Sequence, residues 1–119
     1  MSLLYSVASE THDLSDQDLK AGLFQALEAL GPRRNVLVIP PDFTRRHSRA
    51  GELTRFAWEY YGDRLGTVLP ALGTHRAMAA REVEIMFGGI PKDRFAVHDW
   101  RKGLATLGEV PAAFVRKQS

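Results

Sequence analysis

The chain has 119 residues, 16 Lys+Arg against 14 Asp+Glu (a net charge of +2), 45% hydrophobic residues and no cysteine. That length supports one domain with a core of its own, and the composition excludes disordered, collagen-like and low-complexity classes. Zero cysteine excludes a disulfide scaffold and thiolate metal sites, and no apolar run approaches the ~18 residues of a transmembrane helix.

Residues 1–31 carry five acids and one base, residues 32–119 nine acids and fifteen bases, and twelve of the sixteen bases are Arg. Arginine favours planar, two-pronged contact with carboxylate or phosphate. The bases form no contiguous stripe and no nucleic-acid motif, so neither a nucleic-acid nor a membrane partner is expected. Leu3-Leu4-Tyr5 is too short for a signal-peptide core, and a cytoplasmic location is the expectation.

In chain order, Ser15-Asp16-Gln17-Asp18 reads as a capping-box start, followed by Leu19, Leu23, Leu27 and Leu30 at helical spacing and a stop at Gly31-Pro32. Val36-Leu37-Val38-Ile39 predicts a short strand buried on both faces, halted by Pro40-Pro41. Asp42 to Ser48 reads as a loop. Leu53, Phe56, Ala57 and Tyr60 predict a helix from about Ala50, closed by Gly62-Asp63. Thr67 to Leu72 predicts a second strand, weakened by Pro70, and Gly73-Thr74-His75-Arg76 a second loop. Met78, Glu82, Val83, Met86 and Phe87 predict a third helix ending at Gly88-Gly89, and Phe95 to His98 a third strand. Leu104–Val110 and Ala113–Val115 read as further strands.

This alternation predicts an α/β fold: an open three-layer domain with a mostly parallel sheet, Rossmann-like and truncated. Parallel crossovers place every strand's carboxyl end on one edge, where ligands of open α/β sheets bind. Asp42–Ser48, Gly73–Arg76 and His98–Arg101 should therefore open on one side.

The first loop offers Asp42 as acceptor, Thr44 as donor or acceptor, and Arg45 as a fork for an anion. The plain structural alternative is an Asp that caps the next helix beside solvated arginines. In the second loop Gly73 lets backbone approach a ligand, and His75 belongs to the residue type that titrates near neutrality and serves as general acid or base. His98-Asp99 reads better as a strand-end His with a turn Asp. The four histidines stand too far apart in sequence to form a local metal site, and no Gly-rich phosphate loop or nucleophile elbow is present.

Val36-Leu37-Val38-Ile39-Pro40-Pro41-Asp42-Phe43-Thr44-Arg45 resembles the first strand and D-x-T-R loop of the lactate racemase family. Ala71-Leu72-Gly73-Thr74-His75-Arg76, with Glu82 following, resembles that family's G-x-H-R segment. The resemblance covers roughly residues 13–117 and corresponds to the amino-terminal part of the family's first domain. It implies a nickel-dependent isomerase that racemises or epimerises a 2-hydroxy acid by hydride transfer to a nickel-pincer nucleotide, between two α/β domains. It further implies that Arg45 binds the substrate carboxylate, with Arg76 a second substrate contact. Asp42 and Thr44 would line the cofactor and substrate pocket, and His75 would be one of two acid/base histidines. Arg46 stands where family members often carry proline. The cofactor lysine, the nickel ligand and the second acid/base histidine belong to family segments that find no place in residues 1–119. The expectation is a fragment, inactive by itself, that binds no cofactor alone and needs a missing carboxy-terminal domain. The competing readings are a non-catalytic nucleotide- or anion-binding module and an interaction fragment whose open sheet edge self-associates.

Overall fold

The computed structural model describes residues 3–118. Helix α1 spans Asp16–Ala29 and strand β1 Val36–Val38; a 3-10 turn over Phe43–Ser48 leads into α2, Ala50–Tyr61. A short turn at Gly62–Arg64 then precedes β2, Leu65–Val68. Helix α3 covers Ala80–Phe87, a turn occupies Lys92–Arg94, and α4 covers Ala112–Gln118. This is a small mixed α/β unit in which β1 and β2 pair in parallel.

The start of α1 is the expected capping box. Ser15 Oγ accepts the Asp18 N–H at 3.2 Å, and the Asp18 carboxylate accepts the Ser15 N–H at 2.9 Å. The Ser15 hydroxyl, which donates to the same carboxylate at 2.7 Å, and then the Ser15 N–H hold the Asp18 carboxyl below its usual range. Leu23 and Leu27 face the core from this helix, and Gly31, with φ +74°, turns the chain towards β1. Arg49 caps α2 from the left-handed region (φ +64°) and is tied back to α1 through the Leu14 carbonyl and the Asp16 carboxylate. Gly51 lets α2 cross the end of α3, because a Cβ there would collide with the Met86 carbonyl.

The core gathers Ala57 and Tyr61 from α2, Leu65 and Val68 from β2, and Met86, Phe87 and Ile90 from α3 and its end. Leu65 and Val68 are both fully buried although three residues apart, which strict strand alternation would forbid. The pairing explains it. Val36 faces Leu65, Leu37 faces Thr67 and Val38 faces Val68, so Gly66 is an extra residue without a partner, and Leu65 and Val68 fall on the same face as Val36 and Val38.

Several expectations change. β1 is buried on one face: Leu37 and Ile39 are 54% and 58% exposed, because the described helices lie against the side of Val36 and Val38. The register places the backbone groups of Val38 and Pro40 towards β2, accepting from Leu69 and Ala71. Those of Leu37 and Ile39 therefore face the outer edge of the sheet. β2 begins at Leu65 and stops at Val68, two residues before Pro70, whose ring nitrogen has no proton for a ladder. The third strand is reduced to one parallel bridge, Val68 with Phe95, and a bond from the Ala96 N–H to the Val68 carbonyl. Residues 104–110 form no strand, and 113–115 lie inside α4, where the Phe114 and Val115 N–H groups both bond to the Pro111 carbonyl. With no neighbouring strand to pair, the local helical preference of Ala112-Ala113 and Arg116-Lys117-Gln118 prevails. The exposed segment after Ala96 helps raise the radius of gyration to 17.2 Å, against about 13.5 Å for a compact chain of this length. No described helix is long and apolar enough to cross a membrane.

Candidate functional site

Because β1 and β2 are parallel, the chain leaves both at the same edge. The strands continue their association past their ends: the Ala71 N–H bonds to the Pro40 carbonyl at 2.7 Å, and Pro41 bridges Ala71. Asp42 and the turn at Leu72–His75 are thereby set side by side. Gly73, with φ +57°, makes the second corner, closed by the His75 N–H on the Leu72 carbonyl at 2.9 Å.

Asp42 is the centre of the arrangement and is only 6% exposed. Its Oδ1 accepts the Thr44 hydroxyl at 2.5 Å and the Thr44 N–H at 3.1 Å, and its Oδ2 lies 2.6 Å from His75 Nδ1. The Thr44 Oγ1 in turn accepts Arg45 Nη1 at 3.3 Å. One chain of hydrogen bonds thus runs from the Arg45 guanidinium through Thr44 and Asp42 to the imidazole of His75.

Burial pushes the Asp42 carboxyl up. The bonds from the Thr44 hydroxyl, from His75 and from the Thr44 N–H, with the charge of the imidazole, outweigh it and leave the group below the ordinary carboxylate range. Asp42 is therefore an anion at neutral pH and can only accept. His75 Nδ1 must be the donor, which fixes the neutral ring as the tautomer with a bare Nε2. Nε2 has no partner among the described residues, and the His75 side chain is 55% exposed.

His75 borders a cavity of about 280 Å³ shared with Asp42, Phe43, Thr44, Arg76, Met78 and Glu82. Arg76 is engaged there: Nη1 and Nη2 bond to the two oxygens of Glu82 at 3.1 and 2.8 Å. Glu82 is held below its usual carboxyl range, first by that bond and then by the Ala79 N–H. Arg45 does not line this cavity; it reaches the cavity wall through Thr44, and among the described residues it forms no ion pair. Arg46 turns the other way, its guanidinium 5.1 Å from the centre of the Phe43 ring.

The five residues singled out in the sequence therefore converge, Asp42, Thr44, Arg45 and His75 in one bonded chain and Arg76 beside it. His98 borders none of the described cavities, while Asp99 is a turn residue that accepts the N–H groups of Arg101 and Lys102. Asp42 does cap the following turn through Thr44, so the capping reading and the site reading hold together. The pairing of Asp42 with His75 and the walls from Phe43 and Met78 were not read from sequence. The signal for the pair was present in two strand-end polar residues on sequential parallel strands. No group of three or more His, Asp or Glu among the described residues is placed to hold a metal ion.

A crystal structure of a Thermotoga maritima protein, determined by the Northeast Structural Genomics Consortium, is similar to this chain. The two share 35% identity and a TM-score of 0.66 over 87% of this chain and 26% of the other. The chain thus spans about a quarter of the length of that structure. The likeness supports the α/β class. No protein-family model matches the sequence, and no curated protein matches it.

Proposed function

We propose that these residues form one half of the active site of a lactate-racemase-like isomerase acting on a 2-hydroxy acid, within the amino-terminal α/β domain of a longer cytoplasmic enzyme. The observation that carries this is the 2.6 Å contact between Asp42 and His75, which joins the two family-like segments across 33 residues and fixes which ring nitrogen is free. In this reading the exposed face carrying Leu37 and Ile39 packs beneath a second helical layer, completing an open three-layer, Rossmann-like domain.

The chemistry needs a grip on the carboxylate and a base beside the hydroxyl. Arg45 supplies the grip, since a guanidinium fork matches a carboxylate and keeps the planar keto acid from tumbling. His75 Nε2 takes the hydroxyl proton as the substrate carbon loses its hydride, and returns it when the hydride comes back. Asp42 keeps the imidazole in the tautomer that can do this and stabilises the imidazolium that forms. Such acid/base help is worth about 10²–10⁴ in rate.

Asp42 and Thr44 line the cavity with their polar atoms bonded to one another and to His75, so in this reading they form the pocket wall beside a cofactor held elsewhere. A nickel-pincer nucleotide bound by other segments of the longer enzyme would supply the hydride acceptor.

The test is interconversion of enantiomers across a panel of 2-hydroxy acids by the complete, cofactor-loaded protein, followed by chiral chromatography. His75→Ala should abolish it. Arg45→Lys should weaken substrate use severely, because one ammonium does not reproduce the fork. Binding of 2-hydroxy acids with no turnover, and no response to either change, would replace the enzyme with a binding module.

A further inference from the structure

Beyond the acid/base pair, the cavity contains an ion pair whose geometry gives it a task. Glu82 sits in the first turn of α3. Its Oε2 accepts the Ala79 N–H at 2.8 Å and Arg76 Nη1 at 3.1 Å, while Oε1 accepts Arg76 Nη2 at 2.8 Å. Ala79 has no side-chain oxygen with which to cap the helix, so Glu82 provides that end's cap and the anchor for Arg76 together. Arg76 Nη1 also donates to the Ala77 carbonyl at 3.1 Å. Of the five N–H groups of a guanidinium, two on Nη1 and one on Nη2 are thereby committed, and its end-on fork is closed. Arg45 spends one N–H of Nη1, on Thr44, and among the described residues keeps Nε and Nη2, its side-on fork, unspent.

We infer that Glu82 is a positioning residue: through Arg76 it clamps the loop between β2 and α3 so that His75 stays on Asp42, and it removes Arg76 from carboxylate recognition, leaving that to Arg45. The clamp is geometric and does not depend on turnover. Its consequence for substrate rests on the isomerase reading above.

The loop from Gly73 to Ala79 is largely exposed. Among the described residues its other ties are the Leu72–His75 turn, the His75–Asp42 bond itself and Met78, which packs against the core at the far end of the loop from His75. An isolated surface ion pair contributes little, and the Arg76 side chain is 71% exposed. This one is two-pronged and shares its carboxylate with a helix end, so both prongs are held in place by backbone. Loss of the fork frees Arg76, the residue next to His75, and the imidazole gains the freedom to leave Asp42.

The experiment uses this chain labelled with ¹⁵N. Long-range ¹H–¹⁵N spectra give the His75 tautomer, and amide exchange reports the loop. Glu82→Gln keeps a carbonyl for the Ala79 N–H but loses the charged fork; Arg76→Gln breaks the fork and leaves the cap intact. Each should turn the single Nδ1–H tautomer into a mixture and speed amide exchange over Gly73–Ala79 by roughly tenfold, the scale of a two-pronged charged pair. The double variant should be no worse than either single one. In the complete enzyme the same changes should lower kcat and leave KM for the hydroxy acid nearly unchanged, with KM responding to Arg45→Lys.

If Arg76→Gln leaves tautomer and exchange at wild-type values, or the two substitutions act additively, Glu82 merely caps α3 and the inference is overturned. A doubled KM response at Arg76 would overturn the division of labour between the arginines. A complete protein that turns over no 2-hydroxy acid, with the coupling still seen by NMR, would remove the isomerase reading and leave the clamp standing.

Discussion

Replacing Asp42 by Asn tests the centre of the site with a change of almost no volume. Asn Oδ1 can still accept from Thr44, now as a neutral acceptor, and its amide is left opposite His75 Nδ1. Hydrogen bonds to a charged group contribute about 1.5–3 kcal/mol and neutral ones about 0.5–1.5, so each bond loses roughly 1 kcal/mol. Asp42 makes two bonds with Thr44 and one with His75, and the half-exposed imidazole recovers part of its loss from water. A net destabilisation of about 1–2 kcal/mol follows, which at a urea slope of about 1–2 kcal/mol/M moves the midpoint by roughly 1 M. The chemical effect is larger. The Asn amide donates, so His75 Nδ1 must accept and the proton moves to Nε2, where it blocks the base. The corresponding change in a Ser-His-Asp triad lowers kcat about 10⁴-fold, and a loss between about 10² and 10⁴ is expected in the complete enzyme. Urea denaturation and ¹⁵N tautomer measurement on this chain read both effects. An unchanged midpoint together with a persistent Nδ1–H tautomer would refute the reasoning, since Asp42 would then be orienting nothing.

Acid should expose the same carboxylate. Asp42 and Asp18 both titrate below their ordinary values in the folded chain, so their stabilisation is complete above the unfolded value near pH 4 and is lost as pH falls through the lower, folded-state values; acid titration followed by circular dichroism should show Asp42→Asn flattening that decline. Gly51→Ala should destabilise by about 1–3 kcal/mol in urea, because the clash with the Met86 carbonyl exceeds the ~1 kcal/mol gain in helix propensity. Phe87→Ala should cost about 3–5 kcal/mol, enough to unfold a core this small, and loss of the cooperative thermal transition would show it. Leu37→Lys should leave stability within about 0.5 kcal/mol, as its side chain lies on the exposed face, while lowering any concentration-dependent association seen by light scattering.

Elements whose signals are local were readable in the sequence. Ser15 with Asp18 announces α1, Pro40-Pro41 ends β1, and the period of Leu53, Phe56, Ala57 and Tyr60 marks α2. The site was half readable. Parallel order sends Asp42 and His75 to one edge, but their contact depends on a backbone bond between Pro40 and Ala71 that no local pattern encodes. Where a segment's state depends on a neighbour, sequence reading failed: Phe95–His98 has strand-like residues yet meets β2 at one position, and Ala113–Val115 has no strand beside it and coils into α4. The exposure of Leu37 and Ile39 has the same origin, since an apolar run states what a strand can bury and not which layers are there to bury it.

The unpaired glycine in β2 has a consequence for how this chain tolerates change. Without Gly66, Leu65 and Val68 would stand two residues apart, and ordinary alternation would keep both inside, opposite Val36 and Val38, with the Gly73 corner and His75 left in place. A side chain at the same position would instead bring its Cβ to 2.8 Å from Asn35 Oδ1. The strand should therefore absorb the loss of this residue more readily than its enlargement, and the imidazole downstream is insulated from a deletion that elsewhere in a strand would turn it away.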